Sequence, residues 1–134
     1  MKIDGGCHCG AIGYEAEIDP EMVSICHCTD CQTLSGTAFR VVIFAPEEKF
    51  RLTRGQPKTY VKIAESGNRR AQAFCADCGS PIYATSADGK PTAYGIRVGT
   101  ARQRDQLPPK RQIWHRSAAA WLPEMEGLVT RETT

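Results

Sequence analysis

The sequence has no long apolar run, and no stretch approaches the roughly 20 apolar residues that a membrane-spanning helix needs. Residues 1–6 are charged and glycine-rich and lack the apolar segment of a secretory signal peptide, so we expect a cytoplasmic protein. The sequence also has no excess of one charge, because 17 basic and 15 acidic residues give a net charge of +2. This balance predicts neither nucleic-acid nor membrane binding.

The sequence contains no glycine-rich phosphate loop and no pattern typical of a serine triad. What it does contain is cysteine, with seven residues in a chain of 134. In a chain without a secretory leader, cysteines indicate metal or redox chemistry rather than a disulfide framework, and an odd number would leave one thiol unpaired. At this length we expect a single domain over residues 1–134 with a modest core.

Four of the cysteines lie in two pairs that are far apart in the chain. Cys7 and Cys9 form a Cys-x-Cys motif, and Cys75 and Cys78 form a Cys-x-x-Cys-Gly motif. Two such arms are a common way to bring four thiolates to one structural zinc ion. The alternative is a redox dithiol at Cys75 and Cys78. Redox motifs of this kind usually open a helix, however, and residues 79–81 (GSP) do not favour one.

The other three cysteines, Cys26, Cys28 and Cys31, offer three ligands where tetrahedral zinc takes four. Either a histidine closes the site, or the fourth position stays open for an exogenous thiol or water. The histidines available are His8, His27 and His115. His27 lies between two ligands and would tend to point away. Zinc on three thiolates is formally −1, which suits an incoming thiol held as thiolate better than an activated water, so we favour the open site.

The rest of the chain alternates between short strand patterns and turns, which predicts an all-β fold of compact antiparallel sheets. One short helix is expected after the central array, with a capping box at Thr29 and Gln32 and an end at Gly36. Residues 50–53 and 59–63 flank a Gly-Gln-Pro turn and are expected to form a hairpin. The strand patterns cover residues 11–16, 22–25, 38–45, 50–53, 59–63, 70–74, 81–84, 93–98 and 112–115.

Two further groups of residues are candidates for other roles. Several basic residues could bind an anionic substrate, although such side chains more often lie on solvated faces. They are Arg69, Arg70, Arg97, Arg102, Arg104, Lys110, Arg111 and Arg116. Four aromatic residues are expected in the core rather than as stacking platforms. They are Tyr60, Tyr94, Trp114 and Trp121.

These motifs, in this order, resemble the glutathione-dependent formaldehyde-activating enzyme family, which also includes centromere-protein-V-like proteins. The resemblance covers residues 5–10 (GGCHCG), 26–31 (CHCTDC), 35–39 (SGTAF), 66–70 (SGNRR) and 74–79 (FCADCG), and the pair Ile113-Trp114 with Trp121. It implies a compact, zinc-tied all-β fold often called a beta-tent. It also implies two zinc ions, one structural and one catalytic and more labile. By position, the structural ion falls on Cys7, Cys9, Cys75 and Cys78, and the catalytic ion on Cys26, Cys28 and Cys31.

The activity implied by the resemblance is formation of S-hydroxymethylglutathione from glutathione and formaldehyde, a carbon–sulfur lyase reaction in reverse. The chain departs from the family at residues 100–102 (TAR), where a Leu-Asp pair is common, and we expect this difference to bear on the substrate. Our hypothesis is a zinc-dependent carbon–sulfur lyase-like enzyme that acts on a small aldehyde and a small thiol such as glutathione. The alternative is a non-catalytic, zinc-stabilised binding module with two structural metal sites. A three-thiol group that lacks a fourth protein ligand and faces a pocket would favour the enzyme.

Overall fold

The computed structural model describes residues 1–134 and contains ten short strands and one α-helix, α1, at Thr29–Ser35. The all-β prediction with a single short helix is confirmed. No helix has the length and apolar character that crossing a membrane requires. The strands are β1 Lys2–Gly6, β2 Gly13–Glu17, β3 Ser24–Cys26, β4 Arg40–Pro46, β5 Phe50–Arg54, β6 Lys58–Ile63, β7 Arg69–Phe74, β8 Pro81–Ser86, β9 Ala93–Arg97 and β10 Arg111–Ile113.

The strands form two sheets. The smaller sheet has the order β1-β2-β5, and the larger has the order β10-β3-β4-β9-β8-β7-β6. Every neighbouring pair is antiparallel except β10 with β3, which is parallel. The parallel pair brings Ile113 beside Cys26, so the chain returns to the central cysteine array near its C-terminal end.

The predicted hairpin between residues 50–53 and 59–63 is wrong. Strand β5 pairs with β2 in the smaller sheet, whereas β6 pairs with β7 in the larger one. The physical reason is the ring of Phe50, which stacks on Tyr14 at 5.9 Å and on Tyr94 at 4.4 Å between ring centroids. Tyr14 lies on β2 and Tyr94 on β9, so pairing of β5 with β2 places the Phe50 ring between the two sheets, against the core. The Gly-Gln-Pro segment therefore carries the chain from one sheet to the other.

The hydrophobic core lies between the sheets and follows the two-residue period of the strands. In β4, Ile43 and Ala45 belong to the core, while Arg40, Val42 and Phe44 point to the opposite face of the larger sheet. The core contains 17 buried residues drawn from both sheets and the segments between them. The alternation of β4 therefore separates a packed side from a side that is free to form a site.

The prediction that four aromatic residues are core is wrong for three of them. Tyr60, Trp114 and Trp121 are 57%, 43% and 54% exposed, and only Tyr94 packs against the core. Trp114 is held at the end of β10 by a left-handed backbone conformation, with φ of 54°, which is unfavourable for a bulky residue. This conformation brings the indole to the rim of the cavity described below.

Candidate metal centres and the adjoining cavity

The four-thiol group lies where the two sheets meet. Cys7 and Cys9 occupy the turn between β1 and β2, and Cys75 and Cys78 occupy the turn between β7 and β8. Their sulfur atoms all lie within 4.8 Å of one another, with 3.6 Å from Cys7 to Cys9 and 3.7 Å from Cys9 to Cys75. A regular tetrahedron with Zn–S bonds of about 2.3 Å has edges of about 3.8 Å, so the group fits zinc. Cys75 and Cys78 converge with Cys7 and Cys9 in one group of four, which favours a metal site over the redox alternative.

Backbone hydrogen bonds shape this group for a metal. The Cys7 sulfur accepts the Ile12 N–H at 3.1 Å, and the Cys75 carbonyl accepts the Gly79 N–H at 2.8 Å. Gly79 has φ of 79°, a left-handed conformation that allows the chain to turn directly after Cys78. The Cys78 sulfur lies 3.3 Å from the Ser80 hydroxyl, which is the largest cause lowering the pKa of this thiol to about 5. The second loop thus favours the thiolate at Cys78, and the two loops bring the four sulfur atoms together.

The three-thiol group is built on the junction of β3 and α1. Cys26 is the last residue of β3, Cys28 is the N-cap of α1, and Cys31 lies in its first turn. The three sulfur atoms lie within 4.8 Å of one another. The Cys28 sulfur accepts the Cys31 N–H at 3.1 Å, so this thiol both caps the helix and points toward the other two.

The predicted capping box at Thr29 and Gln32 is wrong, because the cap is Cys28, one residue earlier. The Gln32 side chain instead donates to the carbonyls of His27 at 2.8 Å and Ser117 at 2.9 Å, which ties the helix to the segment after β10. The predicted helix end is confirmed, since Gly36 is the C-cap with φ of 71° and its N–H bonds to the Gln32 carbonyl.

The pKa values of Cys26 and Cys31 shift in opposite directions. Hydrogen bonding with Cys31 is the largest cause lowering the pKa of Cys26 to about 5, and the Cys28 amide and the Arg40 charge act in the same direction. The pKa of Cys31 is raised in turn, first by its hydrogen bond with Cys26 and then by burial. Three sulfur atoms this close repel one another as thiolates unless a cation lies between them. A soft divalent cation would allow all three to ionise, which is the condition that a zinc site needs.

No histidine completes the three-thiol group, which has no fourth cysteine, histidine or carboxylate donor. His27 is buried, and its Nε2 lies 2.7 Å from Gln112 Oε1, away from the thiols. His115 packs against the His27 ring at 5.4 Å between centroids. His8 lies beside the four-thiol group, where its backbone N–H donates to the Ser80 hydroxyl. The protein therefore supplies three ligands here and no more.

The three thiols open on a cavity of about 200 Å³ on the face of the larger sheet that points away from the core. Apolar side chains form much of its wall, and basic side chains form the rest. The apolar and aromatic lining residues are Leu34, Val42, Phe44, Ala64, Ala84, Ile113 and Trp114, and the basic ones are Arg40, Lys62, Arg70 and Arg97. Gly95 leaves room for the Phe44 ring, because a Cβ at this position would lie 3.0 Å from a ring carbon.

Sheet register brings the arginines to this cavity. Arg40 pairs directly with Cys26 across β3 and β4, Arg97 pairs with Val42 across β4 and β9, and Arg70 pairs with Lys62 across β6 and β7. Sequence analysis proposed Arg70 and Arg97 but missed Arg40, which lies among apolar residues in the most hydrophobic strand pattern. The signal that could have revealed it is the two-residue alternation of β4.

The other basic candidates do not line the cavity. Four of them pair with surface carboxylates: Arg69 with Asp88, Arg102 with Asp4, Lys110 with Glu21 and Arg116 with Glu65. Arg104 bonds to the Ala101 carbonyl, and Arg111 donates to the Ser24 hydroxyl. Residues 100–102, where the chain departs from the family pattern, also lie outside the cavity lining. The expectation that this departure bears on the substrate gains no support from the structure.

The largest cavity, of about 700 Å³, is a separate groove between the smaller sheet and the segment after β4. Its lining is mainly charged, includes Lys2, Glu15, Glu47 and Lys49, and contains no cysteine. Volume alone would therefore select a surface that contains neither thiol group, whereas the smaller cavity contains the three thiols.

The fold and the two thiol groups define a class of protein. It is a two-sheet β protein with one four-thiol group that links the sheets and one three-thiol group that opens on a cavity. The sequence model described as glutathione-dependent formaldehyde-activating enzyme matches residues 2–117, and the chain belongs to that family.

Two known proteins are also similar to this chain. A Schizosaccharomyces pombe protein named as an uncharacterized lyase is 28% identical over 89 residues, which is 66% of this chain and 61% of the relative's length. A crystal structure of a Rhodobacter sphaeroides protein superposes with a TM-score of 0.61 and 22% identity, and it covers 81% of this chain and 98% of that one. The structural likeness supports the fold.

Proposed function

We propose that this protein is a zinc-dependent enzyme of the carbon–sulfur lyase class, which joins or releases a small aldehyde of the formaldehyde class and a thiol such as glutathione. The observation that carries this proposal is a three-thiol group with no fourth protein donor, opening directly on a cavity. Family membership and the name of the yeast relative support the reaction class. The binding-module alternative would require a closed second site, and the three histidines lie elsewhere.

The proposal assigns different roles to the two thiol groups. Cys7, Cys9, Cys75 and Cys78 hold a structural zinc that cross-links the two sheets, because the two arms come from different sheets. Cys26, Cys28 and Cys31 hold a second, catalytic and more labile zinc. Bound to three thiolates, this zinc would lower the pKa of an incoming thiol and so supply it as a thiolate nucleophile.

The residues around the three thiols have two tasks in this reaction. The cysteines are held in place by β3 and by the helix cap, so the ligand geometry is preorganised. The side chains of Leu34, Phe44 and Trp114 give the cavity an apolar wall, which would leave less water beside the thiols. The thiol sulfur bonds to the aldehyde carbon, the carbonyl π pair moves to oxygen, and the proton lost by the thiol ends on that oxygen. The reverse reaction breaks the same carbon–sulfur bond.

The proposal also includes the domain organisation of the protein and its compartment. It treats residues 1–134 as one domain, since both sheets contribute to the four-thiol group. It places the protein in the cytoplasm, where thiol substrates and ligand cysteines are kept reduced.

The experiment that tests the proposal is exchange NMR with ¹³C-formaldehyde and glutathione. Because formaldehyde adds to thiols without help, the quantity to measure is the exchange rate between formaldehyde hydrate and S-hydroxymethylglutathione. Zinc-loaded protein should raise this rate in proportion to its concentration, and the increase should disappear when the labile zinc is removed by a mild chelator. An exchange rate that stays at the uncatalysed value with glutathione, cysteine and other small thiols would refute the proposed enzymatic activity.

A further inference from the structure

Three arginine side chains line the three-thiol cavity, and the protein offers few groups that balance their positive charge. Arg40 is 6% exposed, and its Nη1 donates to Gln72 Oε1 at 3.4 Å. The Nη2 of Arg97 donates to the same oxygen at 2.6 Å. The Nε of Arg97 is buried and has no hydrogen-bond partner. The side chain of Arg70 lines the same cavity. One neutral amide oxygen is therefore the only hydrogen-bond acceptor that the protein gives to the guanidinium groups of Arg40 and Arg97.

No carboxylate of the protein lines this cavity. This distinguishes its arginines from Arg69, Arg102 and Arg116, each of which pairs with an aspartate or glutamate on the surface. Lys62 is likewise paired, with Asp30 at 2.8 Å. Zinc on three thiolates would add a formal charge of −1, which leaves most of the charge of three arginines unbalanced. Burying charge without a partner is costly, so an arrangement of this kind favours an anionic ligand.

Burial and the neighbouring charges act on Arg97 in the same direction. Burial is the largest cause lowering the pKa of this guanidinium to about 9, and the charges of Arg40 and Arg70 lower it further. The thiols of Cys31 and Cys26 oppose this effect, and both line the same cavity as Arg97. An anion between the arginines would relieve their mutual repulsion.

We propose that Arg40 and Arg97, which are bridged by Gln72, form together with Arg70 a subsite for a carboxylate group of the substrate beside the three thiols. The planar fork of an arginine matches a carboxylate with two parallel hydrogen bonds. This inference rests on the proposed function, because it assigns the anionic part of the thiol or of the aldehyde. The cavity of about 200 Å³ is smaller than the roughly 300–1,000 Å³ of sites for drug-sized ligands, so it accepts a small molecule or one end of a larger one.

The substitution Gln72→Glu tests this subsite from within the protein. Glutamate is nearly isosteric with glutamine, and it would place a carboxylate on the same two guanidinium groups. The protein would then carry its own anion, so the fold should be retained with an unchanged or higher melting temperature. The affinity for an added carboxylate should fall, since its site is filled and its charge repelled.

The measurement is calorimetric titration of the zinc-loaded protein with 3-mercaptopropionate and with 2-mercaptoethanol. A gain of one charge-assisted hydrogen bond predicts that the carboxylate thiol binds about tenfold more tightly or better. Gln72→Glu should bring the ratio of the two dissociation constants close to one. The matched control Gln106→Glu makes the same charge change at an exposed position outside the cavity and should keep the wild-type ratio. Should Gln72→Glu fold poorly, Arg97→Gln is expected to give the same loss of preference.

A second pair of probes shows whether the carboxylate belongs to the thiol or to the aldehyde. With 2-mercaptoethanol as the thiol, the affinity of the protein for glyoxylate is compared with its affinity for formaldehyde. A preference for 3-mercaptopropionate places the carboxylate on the thiol, and a preference for glyoxylate places it on the aldehyde; either outcome supports the subsite. Equal affinity within both pairs, or a Gln72→Glu protein that keeps the wild-type preference, overturns it. The titrations with a thiol alone contain no aldehyde, so they measure binding without reaction. A preference for 3-mercaptopropionate with no accelerated exchange would refute the proposed enzymatic activity and leave the subsite standing.

Discussion

The variant Cys75→Ser is expected to be unfolded or insoluble. Cys75 is buried and lies 3.7 Å from Cys9 through its sulfur, in a group whose two arms come from different sheets. Structural zinc in small zinc-folded peptides contributes roughly 10–16 kcal/mol of apparent binding free energy, which is comparable with or above the ~5–15 kcal/mol net stability of a whole domain. Circular dichroism, thermal melting and zinc quantification of the soluble fraction are the measurements.

The control for this variant is Ser80→Ala, which changes a neighbour of the Cys78 sulfur without removing a ligand. This protein should stay folded and keep both zinc ions. A soluble Cys75→Ser protein that melts cooperatively and holds its full metal content would show that the four-thiol group does not stabilise the sheets.

The variant Cys28→Ser is expected to remain folded, to contain about one zinc ion fewer and to lose thiol–aldehyde exchange activity. The four-thiol group is untouched, so the sheets stay linked. Cys28 is the N-cap of α1, and serine is among the preferred N-cap residues, so the helix is retained while the thiolate is lost. The measurements are zinc content, melting temperature and the formaldehyde exchange rate.

A second variant separates the loss of the ligand from the loss of the cap. Cys28→Ala removes both, and it should melt below Cys28→Ser because replacing a serine cap by alanine costs about 0.5–2 kcal/mol. Both variants should lose the same zinc ion and the same activity. Retention of two zinc ions and full exchange activity by Cys28→Ser would remove this residue from the proposed catalytic centre.

Much of the thiol chemistry could be predicted from the sequence because it is local. Spacers of one or two residues hold each pair or triplet of thiols close together in any fold, and the structure gathers them into groups of four and three. The same applies to the helix, whose end at Gly36 follows from the left-handed preference of glycine. The all-β class followed from many short alternating patterns between turns.

The parts that could not be predicted depend on which strands lie side by side. The turn between β5 and β6 is typical of a hairpin, but aromatic contacts across the core direct β5 to another sheet. The cap at Cys28 was missed because cysteine is not a usual cap, and it caps here because its sulfur already points inward toward the other thiols. Local residue preference carries no information about either outcome.

The arginine subsite is the clearest case of a feature that emerges only from the register. Arg40, Gln72 and Arg97 lie on β4, β7 and β9, far apart in sequence, and each looks like an ordinary strand residue. Sheet order brings all three to one face beside Cys26. Trp114 is similar, because its position at the cavity rim comes from a left-handed backbone that no sequence rule favours for tryptophan.

The central claim is that the second zinc ion accepts an exogenous thiol, and the most direct test is a titration of cobalt-substituted protein with glutathione. The claim predicts a saturable change in the thiolate-to-cobalt absorption of the second site as a fourth sulfur enters, and no such change in Cys28→Ser. It also predicts that mild chelation removes the ion of Cys26, Cys28 and Cys31 first, since this ion has one fewer protein thiolate. An unchanged spectrum with glutathione and with every other small thiol, together with two ions that resist chelation equally, would contradict the claim and favour a purely structural zinc module.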